Sequence, residues 1–160
     1  MDKLLLRQQV LERLAEDLLR VEQAAREAHE AATHEENIAE NKYDTLGLEA
    51  AYLATGQARR TEAIRLAIVN WRSFFPTSYN PSQGIQRGDL IVVVDAEGNQ
   101  QRLFLGLEGG NMTLSCGGEL TQVISSKAPL ARALLGKREG DEVSFEVASV
   151  RRELEVLKVY

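Results

Sequence analysis

Seven carboxylates crowd the stretch from Glu27 to Glu49: Glu27, Glu30, Glu35, Glu36, Glu40, Asp44 and Glu49. Lys42 is the one lysine among them and there is no arginine, so this stretch alone holds a local net charge of −6 against −5 for the whole chain. Clustered carboxylate oxygens suit a hard cation, and Mg²⁺ is typically held by one or two carboxylates together with a partner's ligands. A metal-bound water gives up its proton more readily, which makes it a nucleophile. Glu36 and Glu40 are spaced to share one helical face, and Asp44 lies just beyond. These three are the candidate catalytic and metal-ligating residues. The competing reading is a solvated charged surface, the usual fate of a charge run. Asp44 could also serve simply as the cap of a following helix.

The other chemistries find little support. The glycines of Gly106-Leu107-Glu108-Gly109-Gly110 have no Lys-Ser/Thr after them and read as a turn, not a phosphate loop. His29 and His34 stand five apart with no cysteine nearby, which makes a zinc site improbable. Ser115, Ser125 and Ser126 have no histidine in their half of the chain, so no hydrolase triad is indicated. Cys116 is the only cysteine; it excludes an internal disulfide and fits a reducing compartment. With no long apolar run and no signal-peptide pattern, the chain is expected to be cytoplasmic. Arg59, Arg60 and Arg65 could contact nucleic acid, but a solvated helix face explains them as well.

The elements that must hold the acids come first in the chain. Residues 3 to 75 contain no proline and are rich in strong helix formers. Leu11, Leu14, Leu18, Val21, Ala25, Ala28 and Ala32 repeat in threes and fours, the pattern of a coiled-coil seam. A second seam runs through Ala50, Ala51, Leu53, Ala54, Ala58, Ile64, Ala67, Ile68, Trp71 and Phe74. Asn41 to Gly47 supplies the turn residues between them. The expectation is an antiparallel helical hairpin over residues 1–76, with an acidic tip near 35–46.

The pattern changes after Pro76. Residues 77–84, with Pro81, Gly84 and several polar residues, read as a linker. Short β-type runs follow at 89–94, 102–107, 112–115, 122–125, 143–147 and 154–159. Asp95 to Asn99 reads as a hairpin turn. Pro129 opens a short helix that Gly136 ends. The fold class is thus α+β: a coiled-coil hairpin, then a small antiparallel β domain over 85–160 with one short helix.

The stretch from Val123 to Val143 carries a long motif, VISSKAPLARALLGKREGDEV. It closely resembles the C-terminal signature of Gre-type bacterial transcript cleavage factors, approximately ISxxSPLGRALLGKxxGDxV. Pro129, Leu130, Arg132, Ala133, Leu134, Leu135, Gly136, Lys137, Gly140, Asp141 and Val143 match it. The resemblance extends along the chain and implies an FKBP-like C-terminal domain that docks on RNA polymerase. It implies that the coiled coil enters the secondary channel until its tip nears the catalytic Mg²⁺ and the RNA 3′ end. Ser126, Ala128, Pro129, Leu130 and Arg132 then become candidate docking residues, with Leu130 the apolar anchor.

The family's tip reads approximately DLxENAEY, and its acid pair is understood to support hydrolysis of nascent RNA. Here Asn37-Ile38-Ala39-Glu40-Asn41-Lys42-Tyr43 is the best match. Glu40 stands at the second acid, Asn37 replaces the first, and one residue is missing before Tyr43. The resemblance therefore implies a monomeric polymerase-binding factor that is not itself an enzyme. It holds no metal stably and shares Mg²⁺ with the polymerase. The alternatives are an active Mg²⁺-dependent cleavage factor, and a coiled-coil interaction module with an FKBP-like domain unrelated to transcription.

Overall fold

The computed structural model describes residues 2–38 and 46–160, without the side chains of residues 32, 35–38, 46, 47 and 50. Helix α1 spans Lys3–Ile38 and helix α2 spans Leu46–Ser73. Asp2 caps α1: its Oδ1 accepts from the backbone N–H groups of Leu4 and Leu5, both at 3.0 Å, satisfying donors that have no partner within the helix. At the other end of α2, the Arg7 guanidinium donates to the carbonyls of Trp71, Arg72 and Phe74. That places a cation where the helix dipole is negative.

The chain falls into two compact units. One is Arg13–Val69; the other joins Met1–Glu12 to Asn70–Tyr160. In the first, Leu14, Val21 and Ala28 are buried along α1, as the seam requires. On α2 the buried line runs through Thr61, Ala67 and Ile68. The expected members Ala51, Leu53 and Ala58 are exposed instead. Thr61 fits the seam because its hydroxyl donates to the Gln57 carbonyl at 2.9 Å and needs no other partner. Arg65 pairs with Glu22 at 2.7 Å.

The second unit is built on a six-stranded sheet: β1 Leu90–Val94, β2 Gln100–Gly106, β3 Met112–Cys116, β4 Glu119–Ser125, β5 Glu142–Val147 and β6 Val150–Val159, in the order β3-β4-β2-β1-β6-β5. The expected antiparallel sheet proves to be mixed, because β2 and β4 pair in parallel, with Leu103 opposite Gln122 and Leu105 opposite Ile124. The chain reverses once into β3 and again into β4, so β4 returns along β2's direction. Helix α3, Pro129–Leu134, packs its Ala131 and Leu134 into a core with Ile91, Val93, Leu103 and Leu105.

Alternation along the strands sends Leu90 and Phe104 to the opposite face of the sheet. The helix bases belong to this unit. Trp71, expected in the hairpin seam, lies beside Phe104 at 6.4 Å between ring centroids and is wholly buried. Lys3 donates to Asp89 Oδ1 at 3.2 Å and to the Tyr160 carbonyl at 2.7 Å. The structural grouping therefore assigns both helix bases to the sheet, where sequence placed them in a helical part ending at 76. Residues 77–84 also pack within this unit. Ser82 accepts from Arg138 at 3.2 Å, and Ile85 donates to the Lys137 carbonyl at 2.8 Å.

Candidate docking site

The acidic trio divides as follows. Glu36 lies on α1, with its side chain outside the description, and Glu40 and Asp44 lie outside the described residues. Among the described residues no group of three or more His, Cys, Asp and Glu side chains could hold a metal. The site that can be built atom by atom is the loop from Ser125 to Arg132.

This loop is tied at both ends to segments distant in sequence. Ser125 N–H donates to Asn111 Oδ1 at 3.0 Å, and Ser126 N–H donates to the Gly106 carbonyl at 3.3 Å. Ser125 Oγ accepts from Lys127 N–H at 3.2 Å, and Ala128 N–H closes a turn on the Ser125 carbonyl at 2.9 Å. Ala128 is extended, with φ −63° and ψ 146°, the conformation that a following proline favours. Pro129 then starts α3 at a position that has no intrahelical partner to lose. At the far end, Gly136 adopts φ +78° and donates to the Ile85 carbonyl at 2.9 Å.

The side chains sort themselves by this geometry. Lys127, Pro129 and Arg132 are exposed, and Ser126 and Ala128 are half-buried. Leu130 is half-buried and packs against the core cluster. Leu130 therefore has a packing role in the domain, whatever else it contacts.

Sequence reading missed the support behind this site. The Trp71 ring lies between Gly106 and Gly110, and its Nε1–H donates to the Glu108 carbonyl at 3.1 Å. A Cβ added at Gly106 would stand 2.5 Å from the ring, and one at Gly110 would stand 2.4 Å from it. The two glycines thus form a slot for the indole, beyond making a turn. Phe74 meets the same ring edge-on, with centroids 5.7 Å apart, the arrangement aromatic pairs favour. Phe74 and Glu108 also line a cavity of about 390 Å³, together with Asn70, Arg87, Ser126 and Lys127, among others. Lys127 pairs with Glu108 across it at 2.6 Å. The available signal was the lone tryptophan at the end of a helical seam, facing a glycine-rich turn.

Residues 118–160 match the family model described as transcription elongation factor, GreA/GreB, C-terminal. The transcription elongation factor GreA of Helicobacter hepaticus is 27% identical over 101 residues, covering 63% of this chain and 58% of that protein. The chain thus spans somewhat over half the length of this curated relative. Among solved structures, GreA factor homolog 1 of Thermus thermophilus is 21% identical, with 94% of both chains covered and a TM-score of 0.39. Thermus aquaticus Gfh1 is 21% identical, with 93% of this chain and 92% of that one covered and a TM-score of 0.42. The GreA/GreB factor of Nitrosomonas europaea is 17% identical, with 61% and 78% covered and a TM-score of 0.38. Residues 118–160, which contain the whole Ser126–Arg132 loop, are thus similar to the C-terminal part of the GreA/GreB transcription elongation factors, and the curated relative is a factor of the same kind.

Proposed function

We propose that this protein binds bacterial RNA polymerase, inserts its helical hairpin into the secondary channel and modulates the active site there. The observation that carries this reading is the family match over residues 118–160, which contains the docking loop. The protein acts in the cytoplasm as a monomer. Ser126, Ala128, Pro129, Leu130 and Arg132 form the polymerase contact. Lys127, Pro129 and Arg132 are exposed there, on a loop held rigidly from both sides. Residues 1–76 act as the inserted part and 85–160 as the docking part.

At the tip, Glu36, Glu40 and Asp44 supply carboxylate oxygens toward Mg²⁺ held in common with the polymerase, near the RNA 3′ end. Free in solution they hold the ion weakly, because Mg²⁺ parts with its water reluctantly. Asn37 stands where the family's first tip acid is expected, so the protein modulates the polymerase and does not promote strong cleavage. The test is incubation with a backtracked elongation complex and Mg²⁺, scored for short 3′ RNA products and for pausing. The expected result is altered pausing without those products. Replacing Glu36, Glu40 and Asp44 together by Ala should abolish the effect while leaving docking intact. Abundant 3′ products from the parent would establish the cleavage-factor reading instead. Identical behaviour of parent and triple variant on paused, backtracked and promoter complexes would reduce the tip to a solvated turn.

A further inference from the structure

The cavity beside the docking loop has a composition that selects its occupant. Arg87 and Lys127 contribute two cations and Glu108 one anion. Among the described residues Arg87 has no ion-pair partner, while Lys127 pairs with Glu108. That pair is 69% and 62% exposed at its two side chains, and so open an ion pair contributes little and exchanges readily. Asn70 and Ser126 add an amide and a hydroxyl, and Phe74 gives an apolar wall. The volume, about 390 Å³, suits a side chain or two and not a whole helix. Two of its lining residues are braced from behind by Trp71, which donates to the Glu108 carbonyl and packs edge-on against Phe74. A concave site lined by two cations is the kind of place where one anchor residue carries binding energy.

We propose that this cavity receives a carboxylate-bearing side chain, an aspartate or glutamate of the polymerase surface, which displaces Glu108 from Lys127 and is held jointly by Lys127 and Arg87. The inference rests on the polymerase-docking reading above and adds the chemistry of the partner residue. The protein's overall charge of −5 opposes an acidic partner, so the attraction must be local to these two cations.

Binding of the full-length protein to core RNA polymerase, measured in low salt and at increasing ionic strength, tests this. Lys127→Glu and Arg87→Glu should each weaken binding about ten-fold, with the difference shrinking as salt screens the exposed charges. Glu108→Gln should tighten binding a few-fold by removing the internal competitor. Lys158→Glu, at an exposed cation outside this cavity, should leave binding unchanged. Melting temperatures are recorded for each. A charge-reversed variant that melts early is replaced by its Gln counterpart, for which the expected loss is about three-fold. If the parent does not bind polymerase, the docking reading falls and takes this inference with it. If the parent binds but the two cation variants match it, docking stands and this inference is overturned. It is overturned likewise if Lys158→Glu weakens binding equally, or if Glu108→Gln weakens it.

Discussion

At the residue scale, the most consequential side chain is Trp71. It is wholly buried, packs on Phe74 and Phe104, and spends its one polar hydrogen on the Glu108 carbonyl. Trp71→Ala should cost about 3–5 kcal/mol, the range for emptying a large buried aromatic site. The indole slot makes a sharper prediction. Gly110→Ala places a methyl 2.4 Å from the ring, so either the ring or the turn must shift, at a cost of about 1–3 kcal/mol. Urea unfolding checks both, and Trp71 fluorescence reports the ring's displacement. Asp95 supports a pH prediction. Its carboxylate accepts from the Asn99 side chain, the Asn99 N–H and the Glu97 N–H in the β1–β2 turn. Those bonds, Asn99's first, hold its pKa below the ordinary 3.8. The folded-state value is depressed, so the stability it contributes is present above 3.8 and is lost as pH falls through the folded value. An NMR titration should find the Asp95 midpoint below 3.8, and Asn99→Ala should move it upward.

At the scale of elements, α2 contains a position that its own packing does not justify. Gly56 sits within the helix with open space where a Cβ would go. Glycine is unfavourable in a helix interior by roughly 0.5–1 kcal/mol relative to alanine. Gly56→Ala should therefore stabilise the protein by about that much, seen as a higher melting temperature, with no loss of function tied to the substitution itself. Helix α3 shows the opposite economy. Its six residues are too few to be stable alone. It exists because Ala131 and Leu134 enter the core and because the loop before it is tied to Gly106 and Asn111. Leu130→Ala should cost about 1–2 kcal/mol, roughly half the value for a fully buried leucine. A docking defect in that variant must therefore be measured well below its melting temperature.

At the scale of the whole molecule, residues far apart in sequence share one unit. The Lys3–Asp89 pair is nearly buried, with side chains 11% and 5% exposed, and Asp89 Oδ2 also accepts from Gln86 N–H at 2.8 Å. Asp89→Ala should cost about 3 kcal/mol, because it leaves a nearly buried ammonium without its counter-charge, held only by the Tyr160 carbonyl, and leaves the Gln86 N–H unpaired. The same arrangement sets an expectation for fragments. A fragment of residues 77–160 has its own core around α3 and should fold. It should melt below the intact chain, because Trp71 and the wholly buried Leu6 and Val10 are no longer present. Circular dichroism of the fragment on heating checks this. A disordered fragment would show that the sheet cannot stand without the helix bases.

Local pattern sufficed for much of this protein. Strand alternation, the positions of Pro129 and Gly136, and the three-and-four spacing along α1 are short-range properties. Each of the six strands overlaps the run that pattern picks out, and α3 opens at Pro129. Leu14, Val21 and Ala28 of the expected α1 seam are buried, although the wholly buried Leu6 and Val10 lie outside it. The loop motif was legible for the same reason, since its residues are consecutive. What needed the tertiary structure depends on contacts between distant residues. Periodicity places Trp71 on an apolar face but does not say whether that face meets another helix or a sheet, because both bury an indole equally well. The slot between Gly106 and Gly110, the Lys3–Asp89 pair and the cavity shared by Arg87, Glu108 and Lys127 each join segments with no common sequence pattern. The parallel pairing of β2 with β4 is likewise a property of how the chain turns back twice, and a strand's own residues are indifferent to its neighbour's direction.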